Sequence, residues 1–513
     1  MSKQLLTYFL DNEYWYGGIV SEGDRFPLSK NDKWTYDLSI NMTANQMETV
    51  FLSTKGRVIA SKKGFFIDFE KGKIFIDKNK TEVNLYQAEE KTLKGAYLKA
   101  KDEYFPFNNK IIPHKMYDSA QFNTWIQLLY NQNELEILTY AEEIIKEGYK
   151  PGILMIDDGW SPYYGKWVFS KAKFDNPVKM IDSLHQKGFK IMLWICPHIS
   201  PDSEVYRELV KKNYLIKNKD NEIAIRKWWN GYSAILDMSN PETQLWMKIQ
   251  LDNLINNFGV DGFKFDAGDA SFYYDDDITF GNVDANEQSY LWAKFAEQYE
   301  FNELRAAVNN GGNCLVQRLA DKNHSWEKGG IASLIPHHLI QSLFGYPYNC
   351  PDMIGGGEYL NFLNNKSNLD QELFVRHAQI SCLMPMMQFS AAPWNFLTRK
   401  YNEACYKAYT IRQKFLNEID LLFKQAALQG IPITTPLEFY FANQGFEHEK
   451  QAFMLGSKIM VVPIIEKSLK QKSVKLPKLK TGKWQSITGK VFEGNQTIVE
   501  KINLDTILIY KII

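Results

Sequence analysis

The sequence predicts an α/β protein built on a (β/α)8 TIM barrel, flanked by an N-terminal β-sandwich and a C-terminal β-domain. Three observations predict it. Near-continuous apolar strands alternate with amphipathic helices between about residues 120 and 420, polar residues recur where those strands end, and strand-like patterning lies on either side. With 513 residues the chain exceeds one ordinary core, and roughly 100–200 residues per domain leaves room for about three. The expected divisions are residues 1–115, 116–424 and 425–513.

The first segment reads as strands, because GFFIDFEKGKIFIDKNKTEVNLYQ alternates apolar and polar residues with turn signals between the runs. In the middle segment, NTWIQLLY reads as a strand and ELEILTYAEEIIKEGY as an amphipathic helix. GILMIDDGW is a buried strand ending in carboxylates, PVKMIDSLHQKGF a helix and KIMLWICPHIS another buried strand. PETQLWMKIQLDNLINNFGV is a long helix that feeds into DGFKFDAGD. No GxGxxG follows a first strand, which argues against an open doubly wound sheet. Strands return in QAFMLGSKIMVVPII, KSVKLPK, GKWQSITG and DTILIYKII, with QGI and KTGKW as turns.

Composition narrows the function classes. Formal net charge is zero and no basic block stands out, so a nucleic-acid partner is not expected. Cys196, Cys314, Cys350, Cys382 and Cys405 are scattered and form no CxxC pair, which argues against zinc and suits a reducing compartment. No run approaches the ~18 apolar residues of a membrane span, and the N-terminus lacks a long apolar leader core. A cytoplasmic location is the expectation, unless a leader has been removed. His198, His337 and His338 match no metal motif, and neither a phosphate loop nor a GxSxG elbow is present. No metal and no cofactor are therefore expected, and a homo-oligomer is compatible with the sequence. Aromatic residues reach 14%, which suits large β-rich cores and also suits sugar-stacking platforms.

DGFKFDAGD is the most informative segment. Lys264 interrupts the apolar strand two residues before Asp266, and positions i and i+2 of a strand face the same side. A lysine so placed holds Asp266 ionised, the state a carboxylate nucleophile needs. The same pattern also describes a buried ion pair that only fixes a strand end. Asp269 reads as an orienting or capping residue. A retaining glycosidase adds a second carboxyl group about 5–5.5 Å away, first acid and then base. The candidates are Asp321 in QRLADKNHSW, Glu327 in SWEKGG and Asp352 in NCPDMIGGG. Arg318 and Lys322 flank Asp321, and cations lower the pKa that a general acid needs raised. Asp352 precedes three glycines that let backbone approach a ligand, and it equally suits an Asx turn.

MIDDGW places Asp157 and Asp158 beside Trp160. Adjacent acids on a strand end point opposite ways, so only one is expected to face the barrel mouth. Carboxylates accept the hydroxyl hydrogens of a neutral sugar while a tryptophan covers its apolar face. LWICPHIS (Trp194), RKWWNGYS (Trp228, Trp229) and MQFSAAPW (Gln388, Trp394) repeat that pairing. One tryptophan suits a core equally well, whereas recurrence at strand ends suits an oligosaccharide or glycoside substrate.

From GILMIDDGW to about KLPKLKTGKW the chain resembles glycoside hydrolase family 31. DGFKFDAGD is similar to the segment that carries that family's nucleophile, which implies this role for Asp266. LADKNHSW resembles the acid/base segment, usually closer to LGDN followed by a tryptophan, and implies Asp321. Asp352 falls where the family has a ligand-lining acid, and Arg305 where it can carry a hydroxyl-binding arginine. The arginine–asparagine–histidine cluster of the α-glucosidase branch is absent, and MQFSAAPW stands in its place. FKFDAGD and MQFSAAPW look like the α-galactosidase branch, which implies that one acid of MIDDGW accepts an axial 4-hydroxyl.

The resulting expectation is a retaining, exo-acting α-galactosidase. Asp266 is the nucleophile and Asp321 the acid/base, with Asp157, Asp158, Trp194, Trp228, Lys264, Arg305, Asp352, Gln388 and Trp394 binding substrate. The same mechanism on an α-glucoside, α-xyloside, N-acetylgalactosaminide or sulfoquinovoside, a transglycosylase, and a catalytically silent carbohydrate-binding protein are the alternatives.

Overall fold

The computed structural model describes residues 4–77 and 81–513, so residues 78–80 of the DKNK turn signal lie outside the described residues. Two four-stranded antiparallel sheets open the chain. One pairs Gln4–Tyr8, Lys73–Asp77, Phe66–Glu70 and Trp34–Asp37 in that order, and the other Trp15–Ile19, Met47–Ser53, Arg57–Ala60 and Asn84–Gln87. Phe51 of the second sheet lies 6.0 Å from Trp34 and 5.7 Å from Phe69 of the first, so aromatic rings fill the space between the layers. The all-strand reading fails at Leu93–Tyr104, which is a helix. Leu93, Ala96, Tyr97 and Ala100 are its buried stripe at helical spacing, and the Thr92 side chain caps Gly95 N–H.

The barrel follows. Its strands, in chain order, are Gln121–Asn123, Ile153–Ile156, Lys190–Ile195, Gly262–Phe265, Phe301–Leu304, Gln317–Arg318, Asn349–Cys350 and Gln388–Phe389. All neighbouring strands run parallel, the eighth pairs with the first, and a bridge from Ile354 to Phe389 closes the remaining gap. The helices Glu134–Lys146, Pro177–Gln186 and Pro241–Phe258 occur where the periodicity places them, each opened by an asparagine cap. NTWIQLLY departs from its reading as a strand. Only Asn123 of it is in a strand, its side chain accepts from Trp125 N–H at 2.7 Å, and Trp125–Leu128 turns into a short helix.

Between the third strand and the helix Pro241–Phe258, a three-stranded antiparallel sheet is inserted from His198–Ile199, Gly231–Ile235 and Ile225–Trp228. After the barrel, Thr434–Thr435, Phe453–Leu455, Ile459–Val462, Leu508–Ile512, Trp484–Ser486 and Val491–Phe492 form a six-stranded sheet beside the pair Gln471–Leu476 and Gln496–Lys501. Met454, Met460, Leu476, Trp484 and Tyr510 make their own core there.

The helix Leu334–Leu343 is buried all round because it packs against both flanking regions. It meets Trp15–Ile19 on one side, and His338 Nε2 and Ser342 Oγ bond Thr434 Oγ1 on the other. Met47 N–H donates to the Ala307 carbonyl and Asn309 N–H to Met47, while Gln46 Nε2 donates to the Arg305 carbonyl at 2.7 Å. The sandwich is thereby stitched to the loop after the fifth barrel strand. No helix among the described residues is long and apolar enough to cross a membrane.

Gly262 lies where the fourth and fifth barrel strands approach too closely for a side chain. A Cβ there would meet the Phe301 carbonyl oxygen at 2.0 Å, a backbone atom that cannot rotate away. Gly262→Ala is expected to cost roughly 1–3 kcal/mol, read as a lower thermal or denaturant midpoint. An unchanged midpoint would show that the two strands separate freely at this level.

Candidate active site

Strand alternation sets the fourth strand's chemistry. Phe265 points outward against Trp292, Phe295 and Tyr299, which leaves Lys264 and then Asp266 inward. Lys264 pairs in register with Trp194 on one neighbour and Glu303 on the other. Asp266 follows the strand's last residue, with its N–H on the Ile195 carbonyl at 2.9 Å. Ala267 then takes φ +55, a region L residues seldom occupy, and its N–H returns to Asp266 Oδ1. Gly268 completes the turn with its Cα against Trp292, where a Cβ would lie 2.0 Å from the ring.

Asp266 is 7% exposed and lines a cavity of about 400 Å³ at the barrel mouth. Trp194 Nε1–H donates to its Oδ2 at 3.0 Å and Arg305 Nε–H to its Oδ1 at 3.1 Å, with Lys264 Nζ 3.8 Å away. Burial alone would raise the Asp266 carboxyl, but Arg305, Lys264 and Arg318 outweigh it and hold the group well below the ordinary carboxylate range. Asp269 grips Arg305 in a two-bond fork, 2.9 and 2.7 Å, while the Ala44 carbonyl takes a further bond from Nη1. Asp269 thus orients the arginine and does not cap the turn that follows it.

Asp157 and Asp158 both line the cavity, against the expectation that only one would. The strand stops at Ile156, so the acids lie on a turn where alternation no longer applies, and Asp158 N–H bonds Asp157 Oδ1. Asp157 Oδ2 accepts from Lys264 Nζ and Asn123 Nδ2, both at 2.8 Å. Asp158 receives its two side-chain donors, Tyr164 and Asn230, on Oδ2. Burial pushes Asp158 up to about 7, opposed by the Tyr164 bond and aided by the charge of Asp157.

Asp321 also lines the cavity, with its side chain 36% exposed. Arg318, buried in the barrel, points at it: Nη1 lies 2.7 Å from Asp321 and 3.0 Å from Asp352, and Nε lies 3.3 Å from Glu303. Lys322 turns away, its Nζ on the Ala320 carbonyl. Asp321 and Asp352 titrate together. Burial and the charge of Asp321 push Asp352 up to about 6, whereas Arg318 and Lys264 overcome burial to pull Asp321 below its ordinary value.

The cavity therefore brings together Asp157, Asp158, Trp194, Lys264, Asp266, Arg305 and Asp321. Four expected substrate contacts lie elsewhere. Asp352 is fully buried behind Asp321, bonded by the Lys322 and Gly357 N–H groups. Gln388 is inside the barrel on Gln121 and Glu303, because it belongs to the eighth strand and does not follow it. Trp394 sits outside the barrel wall against Phe122, Tyr140 and Tyr149 and donates to Glu143. Trp228 is buried under Trp229, on His198 and Ser233. Trp160 is core too, packed on Trp167 and Phe169.

The remaining wall comprises Met42, Thr43 and Ala44 from the sandwich with Trp125, Trp229, Asp269, Ser271, Phe272, Ala320, Glu358 and Tyr359, and sequence reasoning singles out only Trp229 and Asp269 among these. Of these, Trp229 carried a signal, the WW pair on a hairpin whose alternating burial turns one ring inward and leaves the next 50% exposed.

Removing Arg318 would leave Glu303 and Asp352 buried without their cation. Arg318→Met is expected to cost about 3–5 kcal/mol at pH 7. The orphaned carboxyls would have raised folded-state pKa values, so protonation relieves them and the deficit shrinks as pH falls. Urea unfolding of both proteins at pH 7 and pH 5.5 reads this, and an equal deficit at both pH values would refute the charge argument.

Residues 114–419 match the Glycosyl hydrolases family 31 TIM-barrel domain, and residues 430–511 the Glycosyl hydrolase family 31 C-terminal domain. Among curated relatives, the myogenesis-regulating glycosidase of Mus musculus is 26% identical, over 96% of this chain and 68% of its own length. Alpha-glucosidase 2 of Bacillus thermoamyloliquefaciens is 22% identical, over 74% of this chain and 50% of its own. A solved Flavobacterium johnsoniae GH31 dextranase complexed with glucose superposes with a TM-score of 0.83 at 18% identity, covering 99% of this chain and 66% of that one. The chain thus spans between half and about two thirds of these proteins' lengths.

Proposed function

The chain belongs to glycosyl hydrolases family 31, and from that premise we propose that it is a retaining, exo-acting α-glycoside hydrolase that releases a neutral terminal sugar, α-linked galactose, by double displacement. One observation carries the reading: an ionised Asp266, fixed by Trp194 and Arg305, shares a cavity with the partly exposed Asp321, which feels its charge.

Asp266 attacks the anomeric carbon while Asp321 gives its proton to the leaving oxygen, and a covalent β-glycosyl-enzyme forms. Asp321 then takes a proton from water, which releases the α-sugar. The carboxylates of Asp157 and Asp158 suit hydroxyl recognition, and Trp194 and Trp229 offer ring faces. A neutral glycone is supported by the charges. Both cations lining the cavity are engaged, Lys264 by Asp157 and Asp266, and Arg305 by Asp266 and Asp269. A sulfonate or carboxylate on the sugar would face unopposed acids. Galactose is supported by the likeness of FKFDAGD to the α-galactosidase branch and by Asp158, a carboxyl on the cavity wall whose two side-chain donors share one oxygen.

A screen of aryl α-glycosides tests the assignment. Asp266→Ala is expected to lose about 10³-fold or more in rate and to be rescued by azide with formation of the β-glycosyl azide. Asp321→Ala is expected to harm poor leaving groups far more than activated ones. Near-normal turnover by Asp266→Ala would refute the nucleophile.

The pH profile tests the acid. Arg318 and Lys264 hold Asp321, the member of the pair that reaches the cavity, below its ordinary value, while the buried Asp352 is pushed up to about 6. The protonated form of Asp321 is the active one, so kcat/KM is expected to fall as pH rises, and removing the Asp352 carboxyl is expected to shift that limb to lower pH. Asp266 stays ionised, so a fall on the acid side belongs below the ordinary aspartate range. A basic limb unchanged by Asp352→Asn would separate the pair from catalysis.

A further inference from the structure

The second side-chain donor to Asp158 comes from outside the barrel. Asn230 sits with Trp229 in the two-residue turn of the hairpin whose strands pair Trp228 with Gly231. Its Nδ2 donates to Asp158 Oδ2 at 2.8 Å and to the Tyr164 hydroxyl at 2.7 Å, and Tyr164 donates to the same Oδ2 at 2.9 Å. Its Oδ1 accepts from the Tyr130 hydroxyl at 2.7 Å, on the loop after the first barrel strand. One amide thus ties three separate segments at the rim of the cavity.

The neighbouring Trp229 lines the cavity. Arg305 Cζ lies 5.4 Å from the centre of its ring and Phe272 5.9 Å away, yet half of the side chain stays exposed. The base of the hairpin is held separately, by Arg226 on the Phe272 carbonyl and on Asp277. At the tip, Gly231 has open space where a side chain would be and Tyr232 is 61% exposed. The polar tether of the tip is therefore Asn230.

We propose that Asn230 is a positioning residue for the sugar site, a latch at the hairpin tip that orients Asp158 and fixes the Trp229 ring at the cavity, so that hydroxyl recognition and ring stacking depend on one another. It rests on the glycosidase reading above and adds to it that glycone affinity is set from the inserted hairpin. A hydroxyl on Asp158 and a sugar face on Trp229 are then read by one rigid unit. Loosening the tip weakens both contacts while leaving Asp266 and Asp321, held from the barrel, in place.

The test compares the full chain as wild type, Asn230→Ala, Tyr130→Phe, Trp229→Ala, Asp158→Asn and the Asn230→Ala/Trp229→Ala double variant. Hydrogen exchange comes first. Asn230→Ala is expected to speed amide exchange across residues 225–235 and to leave the barrel strands unchanged. Unchanged exchange in the hairpin overturns the latch, whether or not any glycoside is turned over.

Kinetics follow, on the aryl α-glycoside that the wild type hydrolyses best and on its monodeoxy analogues. Asn230→Ala is expected to raise KM about 10-fold or more with kcat held within about 3-fold. It should also remove the rate penalty at the deoxy position where Asp158→Asn removes it. Tyr130→Phe, which deletes one O–H, should shift KM the same way by less. The double variant should lose less than the product of its single losses. Equal loss at every deoxy position, or strictly multiplicative losses, overturns the coupling. A wild type that hydrolyses no α-glycoside refutes the glycosidase reading, and hydrogen exchange then decides the latch alone.

Discussion

The structure depends on how it balances charge in the barrel mouth. Lys264, Arg305 and Arg318 are each at most 7% exposed, and around them stand Asp157, Asp266, Asp269, Glu303, Asp321 and Asp352. Removing an ion from water costs several kcal/mol even after relaxation, so such a cluster persists only where nearly every lone pair and proton is matched. Most of the cluster is matched, although Arg318 Nε and Glu303 Oε1 face each other at 3.3 Å without a formed hydrogen bond. Arg305 serves Asp266, Asp269 and a backbone carbonyl, and Arg318 serves three carboxylates and the Leu319 carbonyl. Carboxylates still outnumber cations, and burial answers by pushing Asp158 and Asp352 up to about 7 and 6. A net negative mouth suits a transition state in which positive charge develops at the anomeric carbon.

The flanking regions hold that balance in place. The barrel strands are two to six residues long, so ladder bonds alone give each little rigidity. Gln46 of the sandwich bonds the carbonyls of Arg305 and Arg318 and the side chain of Gln317, and Gln341 of the buried helix closes the loop on Gln46. The backbone that carries two of the three cations is thereby fixed from outside the barrel.

The barrel was legible because its strands are apolar and its helices capped, and both signals are local. Asp266 was legible for the same reason, since Lys264 marks the inward face of a regular strand. Legibility ended where regular structure ends. Asp157 and Asp158 lie one residue past their strand, and alternation wrongly assigned one of them away from the cavity. Gln388 and Trp394 were misplaced in the opposite sense: one is still in a strand, the other already on a helix against the outer wall. The loop of residues 42–44 and the Asn230 turn come from segments that tertiary packing alone brings to the mouth.

The coupling between Asp266 and Asp321 has a direction that the proposed chemistry uses. While Asp266 is an anion, its charge raises the proton affinity of Asp321, working against Arg318. That is the condition in which Asp321 must be an acid. Once Asp266 is esterified its charge is gone, Arg318 and Lys264 act on Asp321 unopposed by it, and the carboxyl is driven toward its ionised form. That is the condition in which it must be a base. The cations that made Asp321 look like a poor acid in the sequence are what return it to a base in the second half of the cycle. The buried Asp352, bridged to it through Arg318 Nη1 and pushed up to about 6, keeps a proton close to the pair in mildly acidic solution. A nucleophile that needs cations and an acid that needs relief from them are reconciled by placing Arg318 nearer Asp321 and Arg305 nearer Asp266, and by letting the charge on Asp266 itself set the timing.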